Sequence, residues 1–154
     1  MRIGLATSED FPGLDPDDAP LLEALGDDAE PAIWSDPAVD WTAYDVVLIR
    51  SVWDTAWEGA VLWEDAIRKT PAEGHIRVQP EHGGTVTVAA PTAGEVATAK
   101  RVLDAAGRDL LYARVDLVGD GLLIELEAIE PRFFFEFAPP QAAGKLARAL
   151  RRRN

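Results

Sequence analysis

Cysteine is absent from this 154-residue chain, so disulfide bonds and thiolate chemistry are excluded. No apolar run approaches the roughly 20 residues that a membrane-spanning helix needs. Lysine occurs only three times, and neither a P-loop nor a Gly-x-Gly-x-x-Gly loop is present. No signal peptide is recognisable where Met1–Ala6 runs into an acidic loop. We therefore expect a cytoplasmic protein with no membrane partner.

Positive charge is scarce in the first third of the chain. The net charge is −12, and residues 1–54 contain thirteen acids but only Arg2 and Arg50 as bases. An acidic surface repels phosphate backbones, so nucleic acid is not expected as a partner. Hydrophobic residues nevertheless make up 47% of the chain and include five Trp, which favours a folded protein over a disordered one.

The first part of the chain predicts a small α/β lobe. Three apolar segments predict β-strands, at residues 2–7, 29–34 and 45–52. The third segment is apolar on both faces, as is typical of a buried parallel strand. Asp17 or Asp18 is a predicted N-cap for a helix that ends at Gly26. This order predicts a Rossmann-like β–α–β lobe over residues 1–57.

The most informative segment is Leu110–Pro131, which predicts two strands joined by Asp120-Gly121, a preferred two-residue hairpin turn. With that turn, Gly119 pairs with Leu122. Alternate residues share a face. One face then carries Arg114, Asp116, Glu125 and Glu127, with Asp116 opposite Glu125 and Arg114 opposite Glu127. The other face is apolar and predicts a core; it carries Leu111, Ala113, Val115, Leu117, Ile124, Leu126 and Ala128.

Three carboxylates on one sheet face require an explanation. Opposed residues have Cβ atoms about 5 Å apart. Two unit charges at that distance repel by about 3 kcal/mol at an effective dielectric constant of 20. A hard divalent cation with oxygen ligands would relieve this repulsion. A solvated face with a single cross-strand pair to Arg114 is the other explanation, and spacing alone leaves both open.

The remaining segments predict an α+β lobe over residues 58–154. Short strands are predicted at residues 75–79 and 83–88, and helices at residues 91–106 and after Pro140. The first helix has an apolar stripe of Val96, Ala99, Val102, Leu103 and Ala106, with Gly107 at its C-terminal end. The second has a stripe of Ala143, Leu146, Ala147 and Leu150. With the hairpin, these elements predict an antiparallel sheet covered by two helices.

The hairpin sequences Ala-Arg-Val-Asp-Leu-Val and Ile-Glu-Leu-Glu-Ala-Ile-Glu-Pro resemble the carboxy-terminal metal-binding hairpin of ATP-grasp ligases. The likeness is strongest to the glutathione-synthetase-like and cycloserine-biosynthesis-type members. There, an Asp on one strand and Glu-x-Asn or Glu-x-Glu on the next hold magnesium ions that bridge ATP phosphates. The resemblance implies that Asp116, Glu125 and Glu127 bind Mg²⁺ or Mn²⁺. It also implies that Arg114 lies close to the phosphates or the acyl intermediate.

Two further segments resemble the same ligases. Arg50-Ser51-Val52-Trp53-Asp54 is similar to the Arg-Ser-x-Trp-Asp that ends the third strand of their first lobe. Thr7 ends the first strand on the same rim. The resemblance implies that a small-molecule carboxylate or amine substrate contacts Thr7, Arg50, Ser51 and Asp54. By the same resemblance, the γ-phosphate or acyl-phosphate is bound by Arg68 and Arg77, and the nucleotide cofactor by Lys69 and Arg77.

The resemblance covers both ends of such a ligase, which meet near residues 57–59. It implies that the central nucleotide-binding region is missing. It implies a truncated protein, packed as one unit, that retains metal and phosphate binding with little or no ligation and weak ATP binding. A magnesium-dependent phosphohydrolase and a non-catalytic remnant that binds a partner are the alternatives. A homo-oligomer in which a second chain covers the nucleotide would restore ATP affinity.

Overall fold

The computed structural model describes residues 1–52, 76–79, 85–107, 110–119 and 121–152. Three parallel strands form the first sheet: β1 (Ile3–Thr7), β2 (Ala29–Ile33) and β3 (Val46–Ser51). Their order is β2-β1-β3, with helix α1 (Ala19–Leu25) between β1 and β2 in the chain. The predicted parallel strands and helix are therefore confirmed.

Asp18 holds the N-cap position of α1, but its side chain makes no capping hydrogen bond. The predicted N-cap position is therefore confirmed, but the Asp18 carboxylate accepts a hydrogen bond from Arg50 instead of capping the helix. Asp15 accepts a hydrogen bond from the Asp17 backbone N–H at 2.8 Å and caps the short 3₁₀ turn before α1. Gly26, with φ of 57°, ends the helix as predicted.

Two antiparallel pairs follow. Strands β4 (Ile76–Gln79) and β5 (Thr85–Val88) form one pair, and β6 (Arg114–Val118) and β7 (Leu122–Glu127) form the other. The predicted combination of a parallel sheet with antiparallel strands is confirmed. Within the described residues the antiparallel strands form two separate two-stranded sheets rather than one.

Helix α2 (Ala93–Ala105) begins with a capping box: Thr92 Oγ1 accepts from the Glu95 N–H at 3.2 Å, and the Thr92 N–H donates to Glu95 Oε2 at 2.6 Å. Gly107 follows with φ of 64°, as expected at a helix C-terminus.

Helix α3 (Ala142–Arg151) buries its predicted apolar stripe. None of the described helices has the length and apolar character that crossing a membrane requires.

The main core lies between the parallel sheet, α1 and α3. It consists of Ile3, Leu5, Leu14, Leu21, Leu25, Leu48, Leu111, Tyr112, Leu146, Ala147 and Leu150. These residues come from both ends of the chain, so the N-terminal sheet and the C-terminal helix bury each other's apolar surface. Helix α3 therefore packs on the parallel sheet and α1, and the prediction that it covers the antiparallel strands is wrong.

The apolar face predicted for the hairpin is buried only at the end away from its turn. Leu111 is 3% exposed, whereas Ile124 is 64% exposed, so the prediction of a continuous core along this face is wrong. The packing reaches Leu111 at the base, where the main core lies, and leaves the turn end in solvent.

Candidate functional site

The strands β6 and β7 place the four polar hairpin residues in the predicted register. Arg114 pairs with Glu127, and Asp116 pairs with Glu125. The register then shifts by one residue, so Val118 pairs with Leu122 and the predicted pairing of Gly119 with Leu122 is wrong. The longer turn is accommodated by glycines at positive φ, 57° at position 119 and 92° at position 121.

The Arg114 guanidinium lies among the three hairpin carboxylates. Its Nε donates to both oxygens of Asp116, at 3.0 and 3.1 Å. Its Nη2 donates to Glu125 Oε2 at 3.3 Å and lies 3.9 Å from Glu127 Oε2. The four residues, which we call the hairpin cluster, thus combine one cation with three anions.

The electrostatics of the hairpin cluster favour a charged guanidinium. Partial burial lowers the pKa of Arg114. Its hydrogen bonds to Asp116 and the charges of all three carboxylates raise the pKa, and the net result is above the usual arginine range. The Arg114 side chain is 28% exposed, so solvent reaches the cluster.

The donor chemistry of the hairpin cluster suits a hard divalent cation, because carboxylate oxygens are the preferred ligands of Mg²⁺ and Mn²⁺. In the structure, however, these carboxylates form ion pairs with the Arg114 guanidinium. Across the described part of the chain, no three His, Cys, Asp or Glu side chains are arranged to hold a metal ion.

The hydroxyls at the carboxyl ends of the parallel strands are buried and hydrogen-bonded within the protein. Thr7 Oγ1 donates to the Phe11 carbonyl at 2.6 Å. Ser51 Oγ accepts from the Asp15 N–H at 3.0 Å and donates to Asp18 Oδ2 at 3.3 Å. Both side chains shape the rim of the sheet, and neither is exposed to solvent.

Arg50, at the same rim, is also buried. Its Nε donates to Asp18 Oδ1 at 2.8 Å, and its Nη2 donates to the Pro131 carbonyl at 3.0 Å. Its guanidinium lies 4.3 Å from the centroid of the Phe133 ring. Burial raises the pKa of Asp18 above the usual Asp range, and Arg50 offsets only part of that shift. A substrate would reach Arg50 only if these contacts opened.

One anchoring contact at the rim was not predicted from the sequence. The Asp17 carboxylate accepts hydrogen bonds from three successive backbone N–H groups, of Phe133 at 3.0 Å, Phe134 at 2.9 Å and Phe135 at 2.8 Å. We call residues 129–135 and the rim residues that bind them the junction. No sequence pattern marks Asp17 for this role, because backbone donors are the same at every residue.

Two further bonds complete the junction. The Val52 N–H donates to Glu130 Oε2 at 3.2 Å, and the buried Tyr112 hydroxyl donates to the Ile129 carbonyl at 2.6 Å. Burial raises the pKa of Tyr112 to about 12. The segment that follows β7 is thereby fixed to the end of β3.

The structure brings together the predicted metal ligands with Arg114, and separately Arg50 with Ser51 through Asp18. Some predictions lie outside the described residues: the sites at Asp54, Arg68 and Lys69, and the boundary between the two lobes at residues 57–59. Arg77 lies in β4, where only the strand itself is described.

Comparisons with known proteins give two matches. A family model described as the N-terminal domain of D-cycloserine synthetase DcsG matches residues 3–72. A crystal structure of D-cycloserine synthetase DcsG superposes with a TM-score of 0.74 and 18% sequence identity, over 99% of each chain. A search of curated protein sequences found no match. The chain therefore has the fold of the D-cycloserine synthetase structure, and residues 3–72 are similar in sequence to the DcsG N-terminal domain.

Proposed function

We propose that this protein derives from ATP- and magnesium-dependent carboxylate–amine ligases of the ATP-grasp type, and that it retains metal and phosphate binding with little or no ligation. The match of residues 3–72 to the DcsG N-terminal domain supports the ligase origin. The fold shared with a D-cycloserine synthetase supports it for the rest of the chain.

The hairpin cluster is the single observation that carries the metal-binding part of the proposal. Asp116 and Glu125 face each other across β6 and β7, with Glu127 and Arg114 one pair further along the same face. In the proposed site Asp116, Glu125 and Glu127 hold Mg²⁺ or Mn²⁺, and Arg114 binds a phosphate or acyl-phosphate oxygen. A bound ion would neutralise charge on the phosphates.

The nucleotide part of the proposal is weak ATP binding. Lysines contribute point charges to phosphate sites, and this chain has only three. Lys69, Arg68 and Arg77 are the proposed contacts to the phosphates. A missing central region would leave the adenine uncovered, and a homo-oligomer could cover it.

The substrate part of the proposal is a small carboxylate or amine at the rim of the parallel sheet, near Thr7, Arg50, Ser51 and Asp54. Ligands of open α/β sheets bind beyond the carboxyl ends of the strands, where Thr7 and Ser51 lie. The two proposed lobes, residues 1–57 and 58–154, would act as one packed unit, a proposal supported by the core that residues from both ends of the chain share.

Thermal unfolding with and without metal tests the metal site. A ligand present at ten times its dissociation constant stabilises a protein by about 1.4 kcal/mol. At that concentration we expect Mg²⁺ or Mn²⁺ to raise the melting temperature by about 3–6 °C. Glu125→Gln should remove most of that increase. Without metal the same change should be nearly neutral, because Glu125 is 51% exposed and its pair with Arg114 is long.

Glu136→Gln is the matched control. Glu136 is also exposed and lies 3.4 Å from Arg132, much as Glu125 lies 3.3 Å from Arg114. This variant loses the same charge and should keep the full metal effect. Identical melting temperatures with and without metal in the unmutated protein would refute the metal site.

A non-catalytic remnant that binds a partner is the second candidate. The observation that favours it is the Arg114 guanidinium, which already forms ion pairs with all three carboxylates of the hairpin cluster. Release of phosphate from ATP without an amine acceptor would instead support a magnesium-dependent phosphohydrolase. Stabilisation by neither metal nor nucleotide would favour the remnant.

A further inference from the structure

The junction places the chain's own oxygen acceptors on donors at the rim of the parallel sheet. The Glu130 carboxylate accepts from the Val52 N–H at 3.2 Å, just past the end of β3. The neighbouring Pro131 carbonyl accepts from Arg50 Nη2 at 3.0 Å. The charge of Arg50 lowers the pKa of the Tyr112 hydroxyl and the charge of Glu130 raises it, so both groups lie close to that hydroxyl.

One buried donor at this rim has no acceptor. Arg50 Nη1 has no hydrogen-bond partner among the described residues, whereas Nε donates to Asp18 and Nη2 to the Pro131 carbonyl. A buried charged donor without an acceptor is costly, so this atom calls for a partner from outside the protein. An ammonium group has only donors to offer, whereas a carboxylate has only acceptors. The open group therefore fits a carboxylate.

The buried carboxylates near Arg50 are already in use. Asp18 accepts from Arg50 through Oδ1 and from Ser51 Oγ through Oδ2. Both oxygens of Asp17 accept backbone N–H groups of the junction. An incoming amine would have to compete for these four oxygens, which again favours a carboxylate at this position.

We propose that the Glu130 carboxylate is an internal stand-in for the ligand of this rim: a small carboxylate binds by displacing the Glu130 side chain, and it accepts from the Val52 N–H and Arg50 Nη1 together. This inference rests on the rim substrate of the proposed function. It adds that the substrate presents its carboxylate, not its amine, at the rim, and that Glu130 competes with it.

The backbone around Glu130 can stay in place during the exchange. The Tyr112 hydroxyl holds the Ile129 carbonyl at 2.6 Å, and Arg50 holds the Pro131 carbonyl. These bonds are made by the backbone of the two neighbouring residues and do not involve the Glu130 side chain. Glu130 is only half-buried, so its side chain can turn toward solvent while the junction stays closed.

The exchange also keeps the local charge. A further anion beside the buried Asp18 would be repelled. The ligand carboxylate instead takes the place of the Glu130 carboxylate, which carries an equal charge into water. A ligand that is not tethered to the chain can also reach Arg50 Nη1, which Glu130 leaves without a partner. The ligand thereby gains a charge-assisted hydrogen bond that the stand-in does not make.

Acetate binding to the full chain, followed by the NMR shift of the Val52 amide, tests the inference. We expect Glu130→Ala to bind acetate about tenfold more tightly than the unmutated protein, since it removes a charged competitor for one hydrogen bond. Glu130→Gln keeps an acceptor for the Val52 N–H but loses the charge, so its gain should be smaller. Glu136→Ala is the control, because Glu136 is exposed and its loss changes net charge equally. Its acetate affinity should change by less than about twofold, as expected for a screened distant charge.

Two probes of about the size of acetate test the chemical class. Acetamide is neutral and methylammonium is a cation, and each should bind Glu130→Ala several-fold more weakly than acetate. Equal binding of acetamide and acetate would show that the rim takes any oxygen acceptor, and would overturn the assignment to a carboxylate. If Glu130→Ala does not fold, Glu130→Gln decides alone, and no gain in its acetate affinity overturns the inference.

The outcomes separate the two proposals. Equal acetate affinity at Val52 in the unmutated protein and in Glu130→Ala overturns the stand-in inference and leaves the rim site standing. Binding of methylammonium alone overturns the inference and leaves an amine site at the rim. No shift of the Val52 amide with any probe refutes both the inference and the rim site. Tighter acetate binding in Glu130→Ala, with the control unchanged, supports both.

Discussion

The Asp17 carboxylate fixes the segment after β7 to the parallel sheet, and its removal should strongly destabilise the fold. Its side chain is buried, with 8% of the residue exposed, and it accepts the N–H groups of Phe133, Phe134 and Phe135 at 2.8–3.0 Å. A hydrogen bond to a charged group contributes about 1.5–3 kcal/mol. The three bonds share one acceptor and water can replace some of them, so their contributions do not simply add.

We expect Asp17→Ala to lower the free energy of unfolding by about 4 kcal/mol, in the range typical for removing one partner of a buried charged interaction. For a protein of this size, that corresponds to a melting temperature lower by about 8–16 °C. Asp17→Asn keeps one acceptor oxygen but turns an N–H group toward the backbone donors, so its loss should be about half as large.

Urea unfolding measures these losses, and an unchanged slope would show that the same fold unfolds. Asp10→Ala is the control, since Asp10 is exposed in the same acidic segment and its replacement removes the same charge. If the free energy of unfolding of Asp17→Ala falls within about 1 kcal/mol of that of the control, Asp17 does not anchor the segment, because surface substitutions alone change stability by about that much.

Three further predictions concern pH, helix capping and the core. Because burial raises the pKa of Tyr112 from about 10 in the unfolded chain to about 12, its contribution to stability is complete below pH 10 and is lost as the pH rises toward 12. The unmutated protein should lose about 2 kcal/mol more than Tyr112→Phe between pH 9 and pH 12 in urea unfolding, and parallel pH profiles would contradict this. Thr92→Ala breaks the capping box of α2 and should cost about 1 kcal/mol, seen as a lower melting temperature, whereas Thr98→Ala in the same helix should cost less. Leu150→Ala empties a fully buried position between α1 and α3 and should cost about 2–5 kcal/mol, against a change within about 0.5 kcal/mol for the exposed Arg148→Ala.

The sequence by itself determined the local elements and the polar face of the hairpin. Apolar runs placed β1, β2 and β3 within one or two residues of their observed bounds. The register assumed from the Asp120-Gly121 turn paired Arg114 with Glu127 and Asp116 with Glu125, as observed, although a register shift after Asp116 makes the pairing nearest the turn differ. The strands and the shared polar face follow from periodicity, which is a property of neighbouring residues and can be read without knowing the rest of the fold.

Other features were decided only by the tertiary structure. Asp17 and Asp18 carry the pattern of a helix cap. The Asp17 carboxylate instead accepts hydrogen bonds from backbone N–H groups more than a hundred residues away, and the Asp18 carboxylate pairs with the buried Arg50. Backbone donors have no sequence signature, so such partners cannot be found from the pattern. Likewise, alternation identifies an apolar face on the hairpin but not what covers it, and Ile124 remains exposed while Leu111 is buried. The partners of a charge or an apolar face depend on which distant segments pack beside it, and that is set by how the whole chain folds.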